Sequence, residues 1–128
     1  MIPREEISLI TEPSEPKRGE IWIVNLGFTV GTEMKKSRPA AVISSDGVGK
    51  LPIKLIAPIT DWKQNYDNNL WHVRLVPSKS NGLSKISAVD ALQIRGVDKK
   101  RLIKKIGFLS ATEIQEIVTA VALVIDYQ

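Results

Sequence analysis

Lys35-Lys36-Ser37-Arg38-Pro39-Ala40-Ala41-Val42-Ile43 sets a basic turn directly before a short apolar run, and Leu55-Ile56-Ala57-Pro58-Ile59-Thr60 closes a second apolar run with a hydroxyl. Runs this short and rich in β-branched residues read as strands. If the two pair, the Arg38 guanidinium and the Thr60 hydroxyl share one strand mouth. A forked cation beside a hydroxyl donor suits a phosphodiester better than most targets.

Outward from these runs the pattern stays β. Glu20-Ile21-Trp22-Ile23-Val24-Asn25-Leu26 is apolar on both alternations, the mark of a central strand, and Trp22 reads as core. Asp46-Gly47 is a turn signal after the Ala40–Ser44 strand, and 52–60 is a further strand with Pro58 near its end. Trp71-His72-Val73-Arg74-Leu75 alternates as a strand with one wet face, and 85–89 and 92–97 are two more short candidates. About six short strands across 17–97 are compatible with a small barrel or curled antiparallel sheet.

The period then changes. Asp98 can cap a short basic helix over Lys99 to Lys105, stopped by Gly107. Ser110-Ala111-Thr112-Glu113 is a capping-box sequence. The helix it starts carries Ile114, Ile117, Val118, Val121 and Ile125 on one face, and its second half is apolar nearly all round, which predicts a second burial surface such as a homodimer contact or a deep core position.

The 128 residues suit one domain with a modest core. Cysteine is absent, which excludes disulfides and thiolate metal sites, and one histidine cannot build a zinc cluster or a two-histidine acid–base pair. No cofactor is expected: the chain has neither a phosphate-cradling P-loop nor a dinucleotide fingerprint. No apolar run reaches membrane-spanning length, and the start lacks a secretory layout, so a soluble cytoplasmic protein is expected. The net charge of +4 conceals an asymmetry, because residues 17–109 hold 17 basic and 7 acidic residues, a net +10. Such a core points to a polyanionic partner. Residues 1–16 are acidic, contain three prolines and read as an N-terminal extension, with the globular domain over 17–128.

Taken in order, Arg18-Gly19-Glu20-Ile21-Trp22, Gly31-Thr32-Glu33, Arg38-Pro39, Ala57-Pro58-Ile59-Thr60, Gly82-Leu83 and Gln93-Ile94-Arg95-Gly96-Val97-Asp98-Lys99-Lys100-Arg101-Leu102 resemble the MazF/PemK toxin endoribonucleases of bacterial type II toxin–antitoxin pairs. The resemblance covers about residues 17–126. It implies a mainly β fold with α: an SH3-like small antiparallel barrel of MazF/PemK/CcdB type with a C-terminal helix, usually dimeric. It further implies a metal-independent, sequence-selective endoribonuclease acting on single-stranded RNA (mRNA), with 2'-hydroxyl attack leaving 2',3'-cyclic phosphate and 5'-hydroxyl ends. By the same resemblance Arg38 and Thr60 are the catalytic pair, and Thr32, Glu33 and Gln93 face RNA; Lys35 and Lys36, by their charge, are candidates to attract its phosphates, with a solvated loop face the alternative. The implied partners are RNA and a cognate antitoxin with a disordered acidic segment. The loop before the arginine, commonly Gly-Ser-Glu-Gln, is Gly31-Thr32-Glu33-Met34 here, keeping the hydroxyl and losing the amide.

A guanidinium is a poor proton acceptor, so Arg38 fits a clamp or acid, and the general base is left between Glu33, Asp61 and simple orientation of the 2'-hydroxyl. Trp62 and Tyr66, in a polar loop, are candidate base-stacking residues. His72 reads as a surface or internally satisfied residue. The competing function is non-catalytic: a barrel toxin gripping a protein target, as gyrase-poisoning relatives of the fold do, or a degenerate homologue that binds antitoxin or RNA. The first relies on C-terminal residues with an exposed tryptophan, whereas this chain has Val124-Ile125-Asp126-Tyr127-Gln128 there.

Overall fold

The computed structural model describes residues 15–27, 30–33, 36–48 and 51–127, with the side chain of Val48 excepted. Among the described residues there are seven strands: β1 Glu20–Asn25, β2 Ser37–Val42, β3 Ile53–Asp61, β4 His72–Leu75, β5 Ser87–Asp90, β6 Arg95–Asp98 and β7 Leu102–Phe108, followed by helix α1, Ala111–Val124. They form one antiparallel sheet in the order β4-β5-β3-β2-β1-β7, with β6 also on β3. β1 lies between β2 and β7, as its two-sided apolar pattern predicts.

β3 organises the site. At nine residues it is the longest strand, and β2 pairs with it through Ala40–Pro58, Ala41–Ala57 and Val42–Ile56. On the β5/β6 side, β6 covers residues 53–56 and β5 covers 59–61. The two ladders leave a gap at 57–58, and Pro58, which has no N–H to give, lies in it. Opposite the gap, Ala91–Gln93 leaves the strand as a 3-10 turn capped by Asp90, whose carboxylate accepts from Leu92 N at 2.9 Å.

The alternation of β1–β3 feeds two cores. Ile21, Ala41, Ala57 and Ile59 join Val73, Val89 and the helix residues Ile117 and Ala120 on one face. Trp22, Val24, Ala40, Val42 and Ile56 join Val97 and Leu102 on the other. Trp22 is core, as expected. Its indole donates to Glu20, which also accepts from Lys17 N and pairs with Lys105 at 3.1 Å, fastening β1 to β7. Burial alone would raise the Glu20 pKa, but those donors outweigh it and hold the carboxyl below its ordinary value.

The expected basic helix over Lys99 to Lys105 is not formed. Asp98 does cap, accepting from Lys100 N at 2.9 Å, but the result is a single 3-10 turn, Lys99–Arg101, after which β7 begins. Leu102, Ile103 and Ile106 favour strand, and pairing with β1 overrides the local helical signal. At α1 both halves of the capping box form: Glu113 N donates to Ser110 Oγ at 3.1 Å and Ser110 N to Glu113 Oε1 at 2.8 Å. Ile117 and Ala120 are buried, with Ile114 and Val121 against the core, while Leu123, Ile125 and Tyr127 are exposed.

Candidate functional site

Arg38 on β2 and Thr60 on β3, far apart in sequence, line one cleft of about 380 Å³. Both side chains are half-buried. The antiparallel register explains their meeting: counted on by two residues from the Ala40–Pro58 pair, it sets Arg38 opposite Thr60. Pro39 fixes the backbone after the arginine and lines the same cleft.

The opposite wall comes from residues 82–85, held by a buried amide. Asn81, fully buried, accepts from Ser78 N and Leu83 N at 3.0 Å each and donates to Val76 O at 2.9 Å. Gly82 sits at φ +68°, and a Cβ there would collide with the Ile106 carbonyl, so only glycine lets this loop close on β7. The loop brings Ser84 and Lys85 to the cleft beside Asp61. Asp61 and Lys85 lie 3.8 Å apart and are largely exposed, so their pairing is weak and both remain available to a ligand.

A second cleft, of about 400 Å³, lies around Pro58, Gln93 and Arg95, with Glu33 and Leu92 on its wall. Pro58 and Thr60 are two residues apart on β3, about 7 Å, so the two clefts are neighbours. Glu33 Oε1 accepts from Val30 N at 2.7 Å, closing its own turn. Arg95 donates to Leu26 O at 3.3 Å.

The expected site residues therefore separate into groups. Arg38 and Thr60 come together. Glu33 and Gln93 come together in the adjoining cleft. Thr32 and Lys36 are exposed on the segment joining β1 to β2, Lys36 at φ +68°. Lys35, like Met34, lies outside the described residues. Of the two carboxylates considered as base, Asp61 lines the cleft of Arg38 and Thr60, whereas Glu33 lines the other. Lys85 and Ser84 were not foreseen; only the Gly82-Leu83 pair hinted that this loop approaches the site.

Trp62 and Tyr66 are not open platforms. Their rings meet edge-on at 5.8 Å, Tyr66 stacks on His72 at 3.8 Å and 13°, and Arg74 lies over Trp62. His72 is satisfied internally, as expected: Nδ1 lies 3.1 Å from Asn69 Nδ2, and Nε2 lies 3.6 Å from Asp90. Burial is the stronger influence on this imidazole and lowers its pKa, against the attraction of Asp90, so it is neutral at pH 7.

Together these features define a class: a small SH3-like β-barrel with a C-terminal helix and an arginine–hydroxyl cleft where β2 meets β3. The description of PemK-like, MazF-like toxins of type II toxin–antitoxin systems matches residues 17–125, and the chain belongs to that family. It is 31% identical over 116 residues, 86% of this chain and 96% of the relative, to the endoribonuclease MazF9 of Mycobacterium tuberculosis. It is 34% identical over 102 residues, 79% of this chain and 83% of the relative, to the endoribonuclease MazF of Staphylococcus epidermidis. Among solved structures, MazF from Deinococcus radiodurans superposes with a TM-score of 0.72 at 21% identity, covering 89% of this chain and 99% of the other.

Proposed function

We propose that the protein is the toxin of its pair and an endoribonuclease that cuts single-stranded RNA without a metal ion. The observation that carries this reading is the shared cleft of Arg38 and Thr60. Arg38 places two N–H donors on the non-bridging oxygens of the scissile phosphate and stabilises the charge that grows there. Thr60 donates its hydroxyl to the same group. The 2'-hydroxyl attacks its own phosphorus, losing its proton to the Asp61 carboxylate. The P–O5' bond breaks, and the leaving O5' takes a proton from the Arg38 guanidinium, which regains one from water as Asp61 releases the proton it took. The products are a 2',3'-cyclic phosphate and a 5'-hydroxyl. Single strands are the substrate because base edges are readable only when unstacked.

Lys35, Lys36 and Lys85 attract the phosphate chain, and Thr32, Glu33 and Gln93 contact the flanking nucleotides. The cognate antitoxin covers this basic surface with an acidic segment that folds on binding. The exposed apolar end of α1, with Leu123 and Ile125, supports a homodimer contact. Among the described residues no helix is long and apolar enough to cross a membrane, and the proposed site of action is the cytoplasm.

Purified protein incubated with long RNA in EDTA should yield fragments with 5'-hydroxyl ends, and its expression should arrest growth. RNA left intact, or cut to 5'-phosphate ends, rejects the reading.

A further inference from the structure

The backbone that carries Arg38 is placed through the end of β1. The ladder partner of Arg38 is Val24, and that of Ser37 is Asn25. The β2–β3 ladder begins only two residues further on, at Ala40–Pro58. β7 in turn supports β1 no further than the Val24–Leu102 pair. Past that pair, the carbonyls of Asn25 and Leu26 need partners that are not strands.

Two arginines supply them. Arg101, directly before β7, donates Nη1 to Asn25 O at 3.1 Å, and Arg95, the first residue of β6, donates Nη1 to Leu26 O at 3.3 Å. A guanidinium stays charged at any working pH and bonds a carbonyl more strongly than a neutral donor does. The local backbone is shaped around this contact. Gly27 sits at φ +66°, where a Cβ would lie 3.0 Å from Arg101 Nη1, so glycine leaves room for the guanidinium. Gly27 N donates to Asn25 Oδ1 at 2.9 Å, and Leu26 N donates to Lys36 O at 3.0 Å, which ties the clamped residues to the one before Ser37. Lys36 is itself left-handed, at φ +68°, a conformation that a lysine keeps only where its surroundings fix it.

We propose that Arg95 and Arg101 are positioning residues for the reaction: from β6 and from the turn before β7 they clamp the end of β1, and through it hold Ser37 and Arg38 in place at the cleavage site. The inference rests on the nuclease reading for its reaction. Two arginines that were only part of a basic surface would govern RNA affinity. A clamp governs the chemical step, because displacing Arg38 by about 1 Å costs about 10²-fold in rate.

Arg95→Ala, Arg101→Ala and Gly27→Ala separate the two. Single-turnover cleavage of a short RNA at saturating protein gives the rate of the chemical step. Fluorescence anisotropy on the same RNA with a 2'-deoxynucleotide at the cut, from low to high salt, gives the phosphate contacts. Each arginine variant should cleave about tenfold more slowly, since one of the two fixings remains. Gly27→Ala should also slow the step, with every positive charge still present. Combined with Arg101→Ala it should be no slower than the slower single variant, because both remove one contact. Ser110→Ala, which loosens α1 alone, should cleave at the wild-type rate. Arginine variants that keep the wild-type single-turnover rate would overturn the proposal, whether or not their salt slope falls by the roughly 0.7 of a lost phosphate contact. So would a Gly27→Ala protein that cleaves normally. If the wild type leaves RNA intact, the nuclease reading fails and the clamp is read from amide hydrogen exchange instead. The Leu26 amide should then exchange about tenfold faster in either arginine variant while the middle of β1 keeps its protection, and an unchanged Leu26 amide would overturn the clamp.

Discussion

Replacing Glu15 by glutamine strands a buried ammonium. Lys54, on β3, is 4% exposed and lies 3.0 Å from Glu15 Oε1, while Lys99 reaches Oε2 at 3.2 Å. The Lys54 bond is the main cause that holds the Glu15 carboxyl below its ordinary pKa. Breaking a fully buried pair costs about 3–5 kcal/mol, but the Glu15 side chain is 36% exposed and water can partly replace it. A loss of about 1–3 kcal/mol is therefore expected. With a urea dependence of about 2 kcal/mol per molar, the unfolding midpoint should fall by about 1 M. In a Lys54→Met background, where no charge is left buried, the same substitution should cost only what an exposed Lys99 pair is worth, about 0–1 kcal/mol. An unchanged midpoint for Glu15→Gln, or an equal loss in both backgrounds, would refute this reasoning.

Stability should fall as pH drops below about 6.5, because the unfolded chain protonates His72 near its ordinary value while the folded chain resists until a lower pH. His72→Gln should reduce that slope, read from urea midpoints at pH 7.5 and 5.5. Ser110→Ala removes one half of the capping box and should cost about 1 kcal/mol by the same measurement, with helical content at the end of α1 reduced. Gly82→Ala should cost about 2 kcal/mol or more and also lower RNA cleavage, since its Cβ forces residues 82–85 away from β7 and opens the cleft. Chemical denaturation and an initial-rate assay separate the two effects.

Much of this architecture was legible because binary pattern and turn chemistry agreed with the fold. β1 is apolar on both alternations and lies inside the sheet; Ser110 and Glu113 announced α1, and both bonds exist. The basic stretch after Asp98 misled for a physical reason. Asp98 caps a turn as readily as a helix, and nothing local reveals that β1 offers an edge to residues 102–108. The Arg38–Thr60 meeting was legible because each residue ends a run whose register is set by its apolar neighbours. The far wall was not. Asn81 folds residues 76–83 through contacts local to that loop, but its docking on β7 depends on Gly82 and Gly107. The choice between Glu33 and Asp61 likewise turns on which side of Pro58 each wall falls, a consequence of the ladder gap at 57–58. His72 and Asp90 sit side by side only through the β4–β5 register.

Rates for Arg38→Ala, Thr60→Ala and the double variant, measured on one short RNA in EDTA, bear most directly on the shared cleft. Each single substitution should slow cleavage by about 10²–10³-fold, and the double variant should fall well short of the product, because the two groups act on one phosphate. Cleavage undiminished by either single substitution would contradict the account.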